Sequence, residues 1–300
     1  QNYNLTEVAN TLFTSQSGVS KHIKDLEDEL GIELFTRKGK RLLGLTEPGT
    51  ELVEIVDRML LDAKNIKRLA EQFSNRNQGT LTIATTHTQA RYTLPPVIKQ
   101  FKIAYPKVHL LLHQASPKEI VAMLCAGEID IGIATEALVE LPELSSFPFY
   151  QWHHAVVVPA GHPLQSIQPL TVEALAEYPI ITYHEGFTGR SNINQAFAKA
   201  GVAPDMVMSA LDADVIKTYV ALGLGVGIIA SMAFNQERDG TLRLLRGDHL
   251  FESNTTRIAV RRGRYLRGYA LRFIELCSPS LDEALVRSSA APAREADYEE

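Results

Sequence analysis

The sequence predicts a multi-domain α/β chain in which a small helical unit with a β-hairpin leads, through one long helix, into two α/β lobes. Three observations predict it. Apolar residues recur at helical spacing over residues 5–30 ahead of a short basic hairpin, one helical period runs unbroken from about 47 to 73, and strand and helix patterns alternate from 81 onward. A chain of 300 residues, 45% hydrophobic, holds enough apolar material for more than one core.

In the first unit, Leu5, Val8, Ala9 and Leu12 form one stripe, and Val19, Ile23, Leu26 and Leu30 form another. The tight polar turn Phe13-Thr14-Ser15 separates them, which is a helix-turn-helix pattern. Extended runs at Glu33–Thr36 and Arg41–Leu45, joined through Arg37-Lys38-Gly39-Lys40, read as a hairpin with a basic tip. Thr46 is placed to cap the long helix, with Pro48 tolerated in its first turn. Along that helix Leu52, Ile55 or Val56, Met59, Ala63, Ile66, Ala70 and Phe73 recur close to a 3.5-residue period, which suits a dimer seam as well as a core face. The polar stretch Ser74–Gly79 reads as a hinge.

Beyond the hinge, strands at Leu81–Thr85, Val108–His113 and Ile129–Thr135 alternate with helices near 90–104 and 117–126. A second set follows, with strands at His154–Pro159, Ile180–Tyr183, Met206–Ser209 and Val226–Ala230 and helices at 171–177, 190–200 and 214–222. Such alternation implies mainly parallel sheets flanked by helices. The run Thr255–Arg261 is strand-like and 265–277 helical, and this pair can return to the first lobe. The expected organisation is a winged helix-turn-helix over 1–46, a linker helix and hinge over 47–79, lobe I over 80–148 completed by 255–280, lobe II over 149–254, and a flexible tail over 281–300 rich in Ser, Ala, Pro and acids.

No apolar run approaches the roughly 20 residues of a membrane span, and a basic-then-apolar leader is not seen, so the expectation is a cytoplasmic protein without a membrane partner. Cys125 and Cys277 lie far apart in apolar helical contexts and read as reduced core residues. A net charge of −5 taken alone argues against nucleic acid, but a local patch outweighs a whole-chain sum. On the second helix Val19, Ile23 and Leu26 face inward. Gln16, Ser17, Ser20, Lys21 and Lys24 face outward, with Gln and Ser competent for base edges and the lysines for phosphates. The hairpin adds Arg37, Lys38, Lys40 and Arg41, with no acid from Leu34 to Thr46. Either element alone equally suits a solvated helix or an ordinary basic turn. Together, ahead of a seam helix, they point to DNA.

In the lobes, Thr85-Thr86-His87-Thr88-Gln89-Ala90-Arg91-Tyr92 lies where a strand end feeds a helix, the place where open α/β folds bind ligands. Hydroxyls and an amide beside free backbone N–H groups suit an anion, and Gly186-Phe187-Thr188-Gly189-Arg190-Ser191 repeats the arrangement. Simple helix capping by these threonines is the alternative.

The segments Leu5–Leu12, Ser15–Glu27, Leu30–Arg37 and Leu45–Gly49 resemble the LysR-type regulators, and the resemblance covers nearly the whole chain. Thr-Thr-His-Thr-Gln-Ala-Arg-Tyr, Gly-Phe-Thr-Gly-Arg-Ser and Asp212–Tyr219 look like the CysB subfamily. The resemblance implies a sensor folded like a two-lobed periplasmic binding protein and control of sulfur assimilation and cysteine synthesis. It also implies an inducer such as acetylserine, or a sulfate ion, in the cleft. Carried across by motif, the effector residues are Thr86, Thr88, Gln89, Thr135 and Thr188, with Trp152 either near the cleft or packing between lobes. Promoter DNA, a second or further copies of the chain, and RNA polymerase are the implied partners. A closely similar Cbl type, which serves alkanesulfonate use and senses adenylyl sulfate, is the alternative, suggested by Tyr150-Gln151-Trp152-His153-His154 and Phe273–Cys277. A solute-binding transport module is a remote one. The resemblance also implies a further helix ahead of Leu5, where only Gln1–Asn4 stand; the expectation is weak DNA binding by residues 1–300, restored when that helix is added.

Gly223-Leu224-Gly225-Val226-Gly227 follows a helix and leads into a strand, the reverse of a phosphate loop, and reads as a tight turn. His153 and His154 are adjacent and so face opposite ways on a strand. With no nucleophile-and-base motif, neither an enzyme nor a cofactor nor a metal is expected.

Overall fold

The structure, a computed structural model, describes residues 3–39, 41–139 and 141–292, and it divides into two compact units, Gln1–Lys67 and Arg68–Glu300. No helix among the described residues is long and apolar enough to cross a membrane.

In the first unit, α1 (Leu5–Thr11) starts on Asn4, whose Oδ1 accepts the N–H groups of Thr6 and Glu7. Helix α2 (Gln16–Leu30) starts on Ser15, whose Oγ accepts the Gly18 N–H at 3.1 Å, and stops at Gly31 in the left-handed region. Strands β1 (Phe35–Lys38) and β2 (Arg41–Leu45) pair antiparallel. Helix α3 (Glu47–Ser74) opens on Thr46, whose Oγ1 accepts the Gly49 N–H at 3.1 Å and donates to the Glu33 carbonyl at 2.6 Å. Among the described residues of this unit only Ala9, Val19, Leu34, Leu42 and Leu61 are buried apolar side chains, so its core is thin. Leu26, expected to face inward, is 42% exposed, because the inward place on that turn is taken by Glu27, at 9%.

The second unit opens with β3 (Gly79–Thr85), a π-helical turn over Gln89–Thr93, α4 (Leu94–Ala104), β4 (Val108–Gln114), α5 (Pro117–Ala126), β5 (Ile131–Ala134) and β6 (Leu144–Trp152). The chain then enters lobe II with β7 (His154–Pro159), α6 (Val172–Ala176), β8 (Ile180–Tyr183), α7 (Arg190–Ala200), β9 (Met206–Ala210), α8 (Ala213–Ala221), β10 (Val226–Ala230) and β11 (Leu242–Arg246). It returns through β12 (Asn254–Arg261), α9 (Gly268–Cys277) and α10 (Glu283–Ser289).

Lobe I is a five-stranded sheet in the order β4-β3-β5-β12-β6, parallel across its first three strands and antiparallel across β12. Leu81, Ile83, Phe101, Phe273 and Ile274 form one core beneath α4 and α9, and Ala84, Ile120, Leu124 and Ile129 form another under α5. Lobe II has the order β11-β7-β10-β8-β9, with β7 and β10 buried along nearly their whole length between two helical layers. Buried on both faces, these strands read as continuous apolar runs. Cys125 and Cys277 are free thiols at the margins of the lobe I cores.

The structure departs from the sequence reading at three places. Strands β6 and β11, both at sheet edges, lie outside the strands read from the alternation; β6 accommodates Pro148, and its pairing slips beside Thr256 and Arg257. The lobes divide at His153 and not at 148/149, since β6 pairs with β12 as far as Trp152 opposite Asn254. The tail expected over 281–300 holds α10 instead. Leu281, Val286 and Ala290 are buried in the lobe I core, and the Ser289 carbonyl accepts from Ser145 Oγ and from Arg262 at 2.8 Å. Val286 inside the helix, with Leu281 before it and Ala290 at its end, docks a short helix that is marginal in isolation. Residues 293–300 lie outside the described residues.

Candidate functional site

The chain crosses between the lobes twice, from β6 to β7 and from β11 to β12, and the candidate effector residues gather around these crossings. Thr86, Thr88 and Gln89 follow the end of β3 and are at most 5% exposed. Thr135 follows β5, and Trp152 closes β6 at 4% exposure.

Three of these meet at a residue that motif reading missed. Thr256, fully buried on β12, accepts from Trp152 Nε1 at 3.0 Å and from Gln89 Nε2 at 3.2 Å, and lies 3.3 Å from Thr135 Oγ1. A hydroxyl accepts two bonds and donates one. With both lone pairs taken, Thr256 gives its proton to Thr135, and the Thr135 proton is left to point elsewhere. Tyr150, also missed, donates to Gln89 Oε1 at 2.5 Å and so accepts from Thr93 at 2.9 Å. The network orients Gln89 and leaves it one amide N–H unused. Thr85 and Thr88 keep buried hydroxyls with no partner. The signal available in the sequence was β12 itself, whose Thr-Thr pair returns to the first lobe beside Trp152.

Lobe II contributes the segment that leads into α7. Gly189 caps that helix at φ 68°, where a Cβ would lie 2.0 Å from Asn254 Oδ1, so no side chain fits. Thr188 is 3% exposed, and its carbonyl accepts from His154 Nε2 at 2.8 Å. Burial pushes the His154 pKa down to about 4. The ring is therefore neutral, and its Nδ1 accepts from Asn254 Nδ2 at 3.3 Å. His154 stacks edge-on against Trp152 with centroids 5.0 Å apart, which joins the Thr188 segment to the lobe I cluster. Glu136 completes the crossing: its Oε1 accepts the Gly189 N–H. Gln89, Thr135 and Trp152 thus share one hub on Thr256, Thr188 reaches it through His154, and Thr86 and Thr88 are buried on the segment that leads into Gln89.

Outside this junction the lobes share an ionic latch. Asp214, near the start of α8, accepts from Tyr92 OH at 2.7 Å and pairs with Arg91 at 2.5 Å and Lys217 at 3.2 Å. His87, Asp212 and Asp214 bring ligand-type atoms within 4.8 Å of one another, but Asp214 already has cationic partners and Asp212 caps α8 through the Val215 N–H.

In the first unit Gln16, Ser17, Lys21 and Lys24 are exposed along α2 and Ser20 is half-buried. Ser17 Oγ lies 3.1 Å from Ser15 Oγ, so part of its hydrogen-bonding capacity is spent within the helix start. Lys38 and Arg41 are exposed and stand directly opposite each other on the hairpin. Like charges so placed are unfavourable alone and are relieved by a polyanion. Arg37 differs, because its Nη2 bonds Glu27 Oε2 at 2.5 Å and it ties the hairpin to α2. Lys40 lies outside the described residues.

Comparisons with known proteins match two families to the chain. The LysR substrate binding domain family matches residues 74–282, and the bacterial regulatory helix-turn-helix protein family, lysR type, matches residues 1–50. The chain is 59% identical over 284 residues to the HTH-type transcriptional regulator SsuR of Burkholderia cenocepacia, covering 95% of this chain and 92% of the relative. It is 54% identical over 289 residues to the HTH-type transcriptional regulator CysB of the same organism, covering 96% and 92%. Among solved structures, the cofactor-binding domain of the Cbl transcriptional regulator superposes with a TM-score of 0.70 at 49% identity, over 72% of this chain and 95% of that one.

Proposed function

The chain belongs to the LysR family of bacterial helix-turn-helix regulators, and on that premise we propose that it controls sulfur-assimilation and cysteine-synthesis promoters in response to a small sulfur metabolite held between its lobes. It is a DNA-binding transcriptional regulator and not an enzyme. The observation that carries the effector reading is the interlobe junction, where hydroxyls, amides and the cap of α7 converge with donors to spare. Such a site suits an anion or zwitterion such as sulfate or acetylserine.

Two titrations test this reading. Calorimetry with acetylserine and with adenylyl sulfate separates the CysB-type reading from the Cbl-type one, which relatives named CysB and Cbl, at 54% and 56% identity, favour about equally; heat from adenylyl sulfate alone would reverse the choice. Binding to promoter fragments upstream of sulfur-assimilation genes should be sequence-dependent and should weaken with salt. Each lost lysine–phosphate contact lowers the slope of log K against log salt by about 0.9. Lys24→Ala and Lys38→Ala should each show that decrement, and no change in slope would remove that residue from the interface.

We also propose that α3 pairs with the same helix of another copy, and that the assembled protein contacts RNA polymerase. Ile55, Val56, Met59, Ile66 and Phe73 are between 38% and 69% exposed, an apolar stripe on a helix too long to be left in water. Met59→Glu should convert the assembly to monomers in sedimentation without loss of helical circular dichroism; an unchanged mass would move the seam elsewhere.

A further inference from the structure

Glu136 is the one acidic side chain bonded across a junction otherwise made of neutral donors. It follows Thr135 at the end of β5 and crosses the cleft to accept the Gly189 N–H at the start of α7. Its second oxygen, Oε2, is buried without a hydrogen-bond partner. Among the described residues no cation forms an ion pair with it.

The charged and titratable groups on the elements around it are engaged elsewhere or are not bonded to it. His154 is held by Thr188 and Asn254, Arg190 by the Tyr183 carbonyl and Asn194, Glu185 by Asn194, and His184 by Ser209. His87 and His153 each keep a buried Nδ1 without a partner. A carboxylate oxygen shielded from water without a hydrogen bond is an unfavourable arrangement by itself. The amide at a helix start is also where an external anion would bind.

We propose that Glu136 is the cleft's own anion: it occupies the α7 amide in the ligand-free protein, and an anionic effector takes its place while the displaced carboxylate takes up one proton from solvent. This inference rests on the reading of the cleft as the effector site. Two negative charges at one amide repel, and burial has already pushed the Glu136 carboxyl up to about 7. Protonation therefore comes at small cost near neutral pH. It also turns the acid into a donor, able to hold the oxygen of the anion that displaced it. The group would thus select anions that accept a hydrogen bond, and would link effector binding to pH. Its pKa rises further in the complex, so affinity is full at and below about pH 7 and falls, by up to about tenfold per unit, as pH rises above it.

The test is titration of the full chain with sulfate, which does not itself titrate in this range, in two buffers of different ionisation enthalpy across about pH 6 to 9. The wild type should bind with proton uptake approaching one per site above neutrality. Glu136→Gln, which keeps a donor and removes the charge, should bind up to about a hundredfold more tightly at the alkaline end, about two units above the carboxyl's own pKa, and take up no proton. Sulfate binding by the wild type with no proton uptake would overturn the inference and leave the cleft reading intact, and this measurement needs no variant. Failure of both proteins to bind sulfate would overturn the anion reading of the cleft and the inference with it.

Discussion

Thr256→Val is expected to unfold lobe I more readily by about 2–6 kcal/mol and to abolish the effector response, although the two side chains have nearly the same shape. The hydroxyl accepts from Trp152 Nε1 and Gln89 Nε2, and both donors are buried. Valine leaves each N–H without an acceptor, at about 1–3 kcal/mol apiece. Gln89 has some relief, because its amide can turn toward solvent or ligand, whereas the indole N–H has no rotamer that keeps Trp152 packed at the lobe junction. The same change frees Gln89 and Thr135 from their fixed orientations, so a cleft that still folds presents its donors in disorder. Urea unfolding compared with effector calorimetry checks the prediction. Thr256→Ser, which keeps the hydroxyl, should retain most of the stability and the binding. A valine variant as stable as the wild type would show that the donors find water and that the hub is dispensable.

Glu27→Ala is expected to release the hairpin from α2 and to cost DNA affinity by at least about tenfold while leaving the lobes folded. The carboxylate accepts the Leu34 N–H at 2.9 Å, the Phe35 N–H at 3.2 Å and the Arg37 guanidinium at 2.5 Å. Hydrogen bonds to a charged acceptor contribute about 1.5–3 kcal/mol each, and a unit with so few buried apolar residues has little to offset their loss. Burial pushes the Glu27 carboxyl upward, but the two amides and Arg37 outweigh it and hold the group below its ordinary value. The sign of the pH dependence follows. A depressed carboxylate pKa supplies stability that is complete above the unfolded value, near 4.5, and is lost as pH falls from there through the folded value. Protection of the Leu34 and Phe35 amides, their exchange measured relative to an unstructured peptide at the same pH, should therefore fall on acidification in the wild type and be small at every pH in the alanine variant. Slow exchange in the variant would show that another acceptor takes over. Arg37→Ala should reproduce part of the effect, since Arg37 steadies Glu27 as well as adding charge to the tip.

Much of this was legible one residue after another. The Phe13-Thr14-Ser15 turn, the start of the apolar stripe at Val19 and Ile23, the Thr46-Glu47-Pro48 helix start and the alternation of runs such as Val156–Val158 with helical segments depend on neighbours within one or two turns. Local geometry dictates those patterns, so they locate the elements and the strand ends that feed helices. The exposed lysines of α2 were equally readable, because a side chain that meets only solvent or a partner is unaffected by how distant parts of the chain pack.

What the tertiary structure alone decided is which polar groups are already spent. Arg37 read as a phosphate ligand until Glu27, ten residues earlier, was found beneath it. Leu281, Val286 and Ala290 read as tail because they stand singly in a run of Ser, Ala and acids, and only docking in the lobe I core beside α9 buries them. Thr256 carried no motif, yet it sets the direction of every bond around Gln89, and Glu136 became notable only when Gly189 of the other lobe came within reach. A sequence determines the periodicity of apolar burial and the donors and acceptors available to each side chain. Which of those are satisfied, and which remain for a ligand, depends on contacts between distant segments, and that remainder is what defines the site.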